Sequence, residues 1–165
     1  WNHSERRVKI LAIDPGPLES AWVAWDGVRI HGHGKQSNYD VLAICDTAAI
    51  EGSQVVIEMI ASYGMPVGET TFTTCVWIGR FLQATDLKLG PIAELVKRGE
   101  IKMHLCHSMK AKDSNIRQAI LDRFGGKEKA IGRKSLPGPL YGMAGDTWAA
   151  LAVALTWMDL HAAKK

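Results

Sequence analysis

VKILAIDPG, Val8 to Gly16, reads as a buried central strand that ends in a carboxylate. Apolar and β-branched residues crowd ahead of Asp14, and Pro15-Gly16 then breaks the strand, so Asp14 stands at its end facing a cleft. A carboxylate in that place needs a partner or a metal ion. Asp-Pro-Gly also opens ordinary turns, so the stretch takes its meaning from what recurs downstream. QVVIE, Gln54 to Glu58, is a second buried strand ending in a carboxylate.

Between the two, Ala21 to Trp25 forms a strand, Asp26-Gly27 is a two-residue hairpin signal, and Val28 to His33 alternates as a third strand. Three strands in antiparallel succession are expected. Asp40 is placed to cap a helix with Val41, Ile44, Cys45 and Ala48 on its apolar face, and Gly52 to end it. Beyond Glu58, Met59 to Glu69 is a loop rich in glycine and proline, followed by a helix from Thr71 to Ala84. Phe72, Cys75, Val76, Trp77, Ile78, Phe81 and Leu82 give that helix a wider apolar surface than one core face requires.

Pro91 opens a short helix through Lys97, Gly99 ends it, and Ile101 to Cys106 alternates as a fifth strand. Asp113 to Phe124 is an amphipathic helix stopped by Gly125-Gly126. Residues 125–145 mix glycine and proline with Lys127, Lys129, Arg133 and Lys134 and show no period, which predicts a flexible basic loop. The last helix starts near Asp146, and Ala149, Ala150, Ala152 and Ala154 let it approach a sheet closely.

With 165 residues, 47% of them hydrophobic, the whole chain, 1–165, suffices for one domain with a proper core. Its apolar runs are too short to span a bilayer and no signal-peptide pattern opens it, so a cytoplasmic protein without a membrane partner is expected. Residues 1–6, which open Trp1-Asn2-His3 without a methionine, are read as disordered or non-native. Cys45, Cys75 and Cys106 are odd in number and set among apolar neighbours, which suits reduced thiols. His104, Cys106 and His107 suggest zinc, but on a strand His107 points away from the other two. A net charge of only +3 conceals a cluster of cations from Lys110 to Lys134, a phosphate footprint.

AIDPG around Asp14, VVIE ending at Glu58, KAKDSNIRQAILDRFG from Lys110 to Gly125 and GDTWAALAVAL from Gly145 to Leu155 follow one another in a telling order. In this the chain resembles the ribonuclease-H-like fold, and within it the RuvC-type Holliday junction resolvases, particularly their compact phage branch. The resemblance covers most of the chain. It implies an α/β fold with a mixed five-stranded sheet, its first three strands antiparallel, flanked by helices. It also implies a structure-selective endonuclease that resolves four-way DNA junctions by metal-dependent, symmetric nicking of two strands.

Clustered carboxylates cannot all stay ionised at close range without a cation, and oxygen ligands select Mg²⁺, or Mn²⁺ in its place. By the resemblance, Asp14, Glu58 and Asp146 would hold one or two such ions, and Lys110 and Lys112 would stabilise charge on the phosphate. RuvC-type enzymes usually carry a further acid or histidine one turn before the last aspartate; here that residue is Met143, so either a fourth ligand comes from elsewhere, with Asp113 as the candidate, or a second ion is held weakly and mainly by the DNA. Tyr63 stands in for an aromatic wedge, and Arg117, Arg123, Lys127, Lys129, Arg133 and Lys134 are candidate DNA contacts. Two coupled nicks call for a homodimer, with Phe72, Trp77 and Phe81 as its candidate interface.

Other ribonuclease-H-like nucleases, acting on RNA/DNA hybrids, flaps or forks, share the same carboxylate pattern. So would a junction-binding protein that does not cut. The sugar-kinase and actin type of ATPase also begins with an Asp-x-Gly strand, but its second Asp-x-Gly loop is absent here.

Overall fold

The computed structural model describes residues 9–86 and 90–162. Its centre is β1, Ile10–Asp14, with Ile10, Leu11, Ala12 and Ile13 all buried. β1 runs antiparallel to β2, Glu19–Trp25, which pairs antiparallel with β3, Ile30–Ser37; on its other side β1 lies parallel to β4, Gln54–Met59. β5, Glu94–Lys97, adds in parallel to β4, giving the order β3-β2-β1-β4-β5. The antiparallel succession of the first three strands is as expected. β3 runs further than expected, to Ser37, because Gly32 and Gly34 leave room for the Trp22 ring lying across them.

Alternation along the central strands sorts the core into two layers. Leu11, Ile13, Val55 and Ile57 face α1 (Asn38–Ile50) and α2 (Glu69–Asp86), meeting Val41, Cys45, Trp77, Ile78 and Phe81. Ile10, Ala12, Ala21, Val23, Val56 and Val96 face the opposite way, toward Leu151 and Leu155 of α6, Thr147–Ala162. Ala150 through Leu155 of α6 are fully buried, so the small residues do seat this helix against the sheet. The helix α1 is capped by Ser37, whose hydroxyl accepts from the Asp40 amide; Asp40 itself lies in the first turn. Among the described residues no helix is long and apolar enough to cross a membrane.

Two expectations are corrected. The helix expected from Pro91 to Lys97 is instead β5, and the strand expected over Ile101–Cys106 lies in α3, Arg98–Cys106. Ile101 and Leu105 share a helix face as readily as a strand face, and the free edge of β4 is taken by Glu94–Lys97. Glu100 accepts the Lys97 amide at 2.7 Å to start α3, and His107, at φ 54°, ends it in the left-handed region.

The segment expected to be a flexible loop is structured. After α4 (Asp113–Arg123) come α5 (Lys127–Ile131) and a small hairpin, β6 (Gly132–Arg133) and β7 (Leu136–Pro137). Ala130 and Leu140 are fully buried, and the Leu140 amide donates to the Ala130 carbonyl at 2.8 Å. Here the glycines serve close packing: a Cβ on Gly138 would lie 2.3 Å from the Lys129 carbonyl oxygen.

Candidate active site

Ile13 of β1 is in register with Ile57 of β4, so the next residues along, Asp14 and Glu58, close the two parallel strands side by side. By alternation both project on the α6 face. Asp146 arrives there from the residue before α6, its carbonyl accepting from the Ala149 and Ala150 amides while its side chain reaches outward to Lys35. Asp113, the first residue of α4, approaches from beyond Glu58. The three expected ligands and the candidate Asp113 thus lie within electrostatic reach of one another at one edge of the sheet.

Their surroundings differ. Burial, then the charges of Glu58 and Asp146, push the Asp14 carboxyl up to about 7, and among the described residues no hydrogen bond or ion pair compensates it. Burial also raises Glu58, against the pull of Arg98. Arg98 Nη1 lies 3.4 Å from Glu58 Oε2 while Nη2 contacts Asp113 Oδ1. Lys35 Nζ donates to Asp146 Oδ2 at 2.7 Å, which raises the lysine above its usual range. A polar hollow of about 260 Å³, lined by Asp14, Gly16, Glu19, Lys35 and Asp146, opens at this edge. A larger apolar hollow of about 370 Å³ lies under α1 at the far end of β1, around Lys9 and Trp25, away from the carboxylates.

The donor set fits a hard divalent ion, being entirely of oxygen, partly desolvated and short of positive charge at Asp14. As they stand, with Arg98 and Lys35 drawn in, no three acidic, histidine or cysteine side chains among the described residues close tightly enough to enclose one. That applies equally to His104, Cys106 and His107. His104 Nε2 lies 2.7 Å from Asp159 Oδ2, which also takes Arg123, tying α3, α4 and α6 together.

Arg98 and Lys35 escaped the reading of the sequence. Arg98 was hidden by assigning 91–97 to a helix, since a residue directly after a strand parallel to β4 would stand beside Glu58. Lys35 pairs with Ala21 in register, and extending the alternation of β3 past His33 would have placed it on the α6 face.

The other candidates divide. Met143 is buried in the core and offers no oxygen ligand. Lys110 sits in the turn after α3 and Lys112 just before α4, both exposed. Arg117 lies 4.8 Å from the Trp148 ring centre and, with Asp113, Gln118 and Lys127, lines a hollow of about 470 Å³. Arg123 is held by both Asp159 oxygens and is therefore not a free phosphate contact. Lys129, Arg133 and Lys134 are exposed on α5 and its hairpin, and Tyr63 is exposed on the loop after β4. Of the side chains expected at a subunit contact, Phe72 is exposed, but Trp77 and Phe81 belong to the core under α2.

The strand order, the helix seated across it and the carboxylates at one edge define a mixed α/β, ribonuclease-H-like fold. Among solved structures the chain is similar to RuvC of Thermus thermophilus, with a TM-score of 0.62 and 16% identity over 90% of this chain and 92% of that one. The structure of T. thermophilus RuvC in complex with a Holliday junction substrate matches with a TM-score of 0.61 and 16% identity, over the same shares. The fold is RuvC-like. No family model and no curated protein matches the chain.

Proposed function

We propose that this chain is a metal-dependent endonuclease that nicks four-way DNA junctions. The observation that carries the reading is the convergence of Asp14, Glu58, Asp146 and Asp113 on one edge of the sheet, with Asp14 desolvated and relieved only by the more distant charge of Arg98. A RuvC-like fold, one of whose solved relatives holds a Holliday junction, supports the choice of substrate. Asp14, Glu58 and Asp146 would hold Mg²⁺ or Mn²⁺, which when bound activates water and steadies the leaving oxygen in phosphodiester hydrolysis; Asp113 is taken by Arg98. Asp14 and Glu58 are fixed by the sheet; Asp146 and Asp113 are fixed only at helix starts and adjust more readily. Lys110 and Lys112, exposed beside Asp113, neutralise charge on the phosphate being cut. Tyr63 is placed to stack on a base at the branch point.

The test is cleavage of a four-way junction, plain duplex, flap and RNA/DNA hybrid, each with Mg²⁺, Mn²⁺ or EDTA. Metal-dependent, paired nicks on the junction alone are expected. Preference for the hybrid or the flap would assign the site to another nuclease of this fold. Binding without cleavage in any metal would favour a junction-binding protein, the reading to which the ion pairs of Arg98 and Lys35 lend weight.

The exposed cations add length to the DNA contact. Replacing Lys127, Lys129, Arg133 and Lys134 together with Gln is expected to weaken junction binding and flatten its salt dependence. Each lost phosphate contact removes about 0.9 from the slope of log affinity against log salt. An unchanged slope would make them merely a solvated surface. Symmetric nicking calls for a twofold pair of chains, and the surface proposed to join them is the outer side of α2, where Phe72 and Val76 stand exposed.

A further inference from the structure

The two cations among the carboxylates are unequal. Lys35 makes a single bond from an edge strand, its side chain 47% exposed and that of Asp146 53% exposed. A point charge on a four-carbon stem, so exposed, swings aside at little cost. Arg98 is only 23% exposed and spans two carboxylates, with one arm of its fork on Glu58 and the other on Asp113. Its backbone is pinned as well, since it follows directly on β5, whose Val96 pairs with Glu58 itself. Releasing it would strand a partly buried guanidinium and Glu58, whose side chain is 13% exposed; Asp113, 88% exposed, would be left to water.

The charge count points the same way. Asp14, Glu58, Asp113 and Asp146 face Arg98 and Lys35, and the excess of negative charge is what one divalent ion cancels. Further out, Lys102 acts on Glu58 and Glu19 on Lys35, and these two offset one another.

Resting on the nuclease reading above, we infer that Arg98 is a permanent cation of the active site, standing where a second metal ion would otherwise be needed, so that each site takes one divalent ion. Arg98 is a positioning residue: it holds Glu58 and Asp113 in place and keeps the Asp113 side of the cluster closed to metal. The ion then belongs to Asp14, with Glu58 and Asp146.

The experiment is a Mn²⁺ titration of the purified chain, with free Mn²⁺ read from its paramagnetic resonance signal and folding checked by circular dichroism. Wild type is expected to bind one Mn²⁺ per chain without cooperativity, Arg98→Ala two, and Arg98→Lys, which keeps the charge, one. Two ions on wild type would overturn the inference while leaving the nuclease reading intact. One ion of unchanged affinity on a folded Arg98→Ala would overturn it too. If wild type bound no more Mn²⁺ than Asp14→Asn does, the metal reading itself would fall. Should Arg98→Ala not fold, the wild-type count decides.

Discussion

Asp14→Asn is expected to yield a folded protein that, on the proposed function, binds a four-way junction without cutting it, and that above neutral pH without metal outlasts its parent on heating. The loss of cleavage is expected to be on the order of 10³-fold or more, since even an outer partner of a metal ligand is worth about 10–100-fold. Stability moves the other way. With the folded carboxyl at about 7 and the ordinary value at 3.8, the folded chain keeps a proton that the unfolded chain gives up. That contribution is fully present below the ordinary value and is lost as pH rises through about 7. Its ceiling is about 4 kcal/mol. Asparagine carries no proton to lose. In EDTA, wild-type stability should therefore fall between acid and mildly alkaline pH while that of Asp14→Asn stays comparatively flat; parallel curves would mean that Asp14 is not held as described.

Phe81→Ala is expected to cost about 3–5 kcal/mol, the usual toll of emptying a buried aromatic site. Phe81 is fully buried between α2 and the sheet, 5.9 Å from the Trp77 ring, which itself meets Tyr39 edge-on at 5.0 Å. Trp77→Glu would fail in the same manner, by burying a charge, and would say nothing about assembly. Phe72→Glu is the informative partner. It should leave the stability of the fold within about 0.5 kcal/mol of wild type and, if α2 joins two copies, turn a sedimenting dimer into a monomer. A Phe81→Ala protein as stable as its parent would contradict the packing of α2; an unchanged dimer in Phe72→Glu would move the contact elsewhere.

The three-strand start of the sheet and the ends of β1 and β4 were legible because each is a local signal: an apolar run stopped by a turn, or a hairpin dipeptide. So were Asp14 and Glu58, which stand at such ends, and Asp146, which stands at the start of an alanine-rich helix. Lys97 and Arg98 mark where that kind of signal gives out. GPIAELVKRGEIKMHLC holds a strand and a helix within one run, and only the vacant edge of β4 decides which is which. The error hid Arg98, the residue on which the metal count turns. Residues 125–145 misled differently, since glycine permits both looseness and close approach, and local composition does not distinguish them. Arg123 was chosen for its charge, but its partner, Asp159, lies on α6, far along the chain.

The complete burial of Ala150 through Leu155 has a consequence in time. That stretch, enclosed by strands and by α3 and α4, has no route to open alone, so its amide protons are expected to exchange with deuterium only when the molecule unfolds as a whole, ahead of which the half-exposed end of α6 at Leu160 frays. The exposed turns that carry Lys110 and Tyr63 need no such event and exchange far sooner. Asp146 hangs at the boundary, its carbonyl anchored to the slow helix and its carboxylate turned toward solvent. One residue thereby couples the most deeply enclosed part of the molecule to the exposed edge where the proposed substrate would bind.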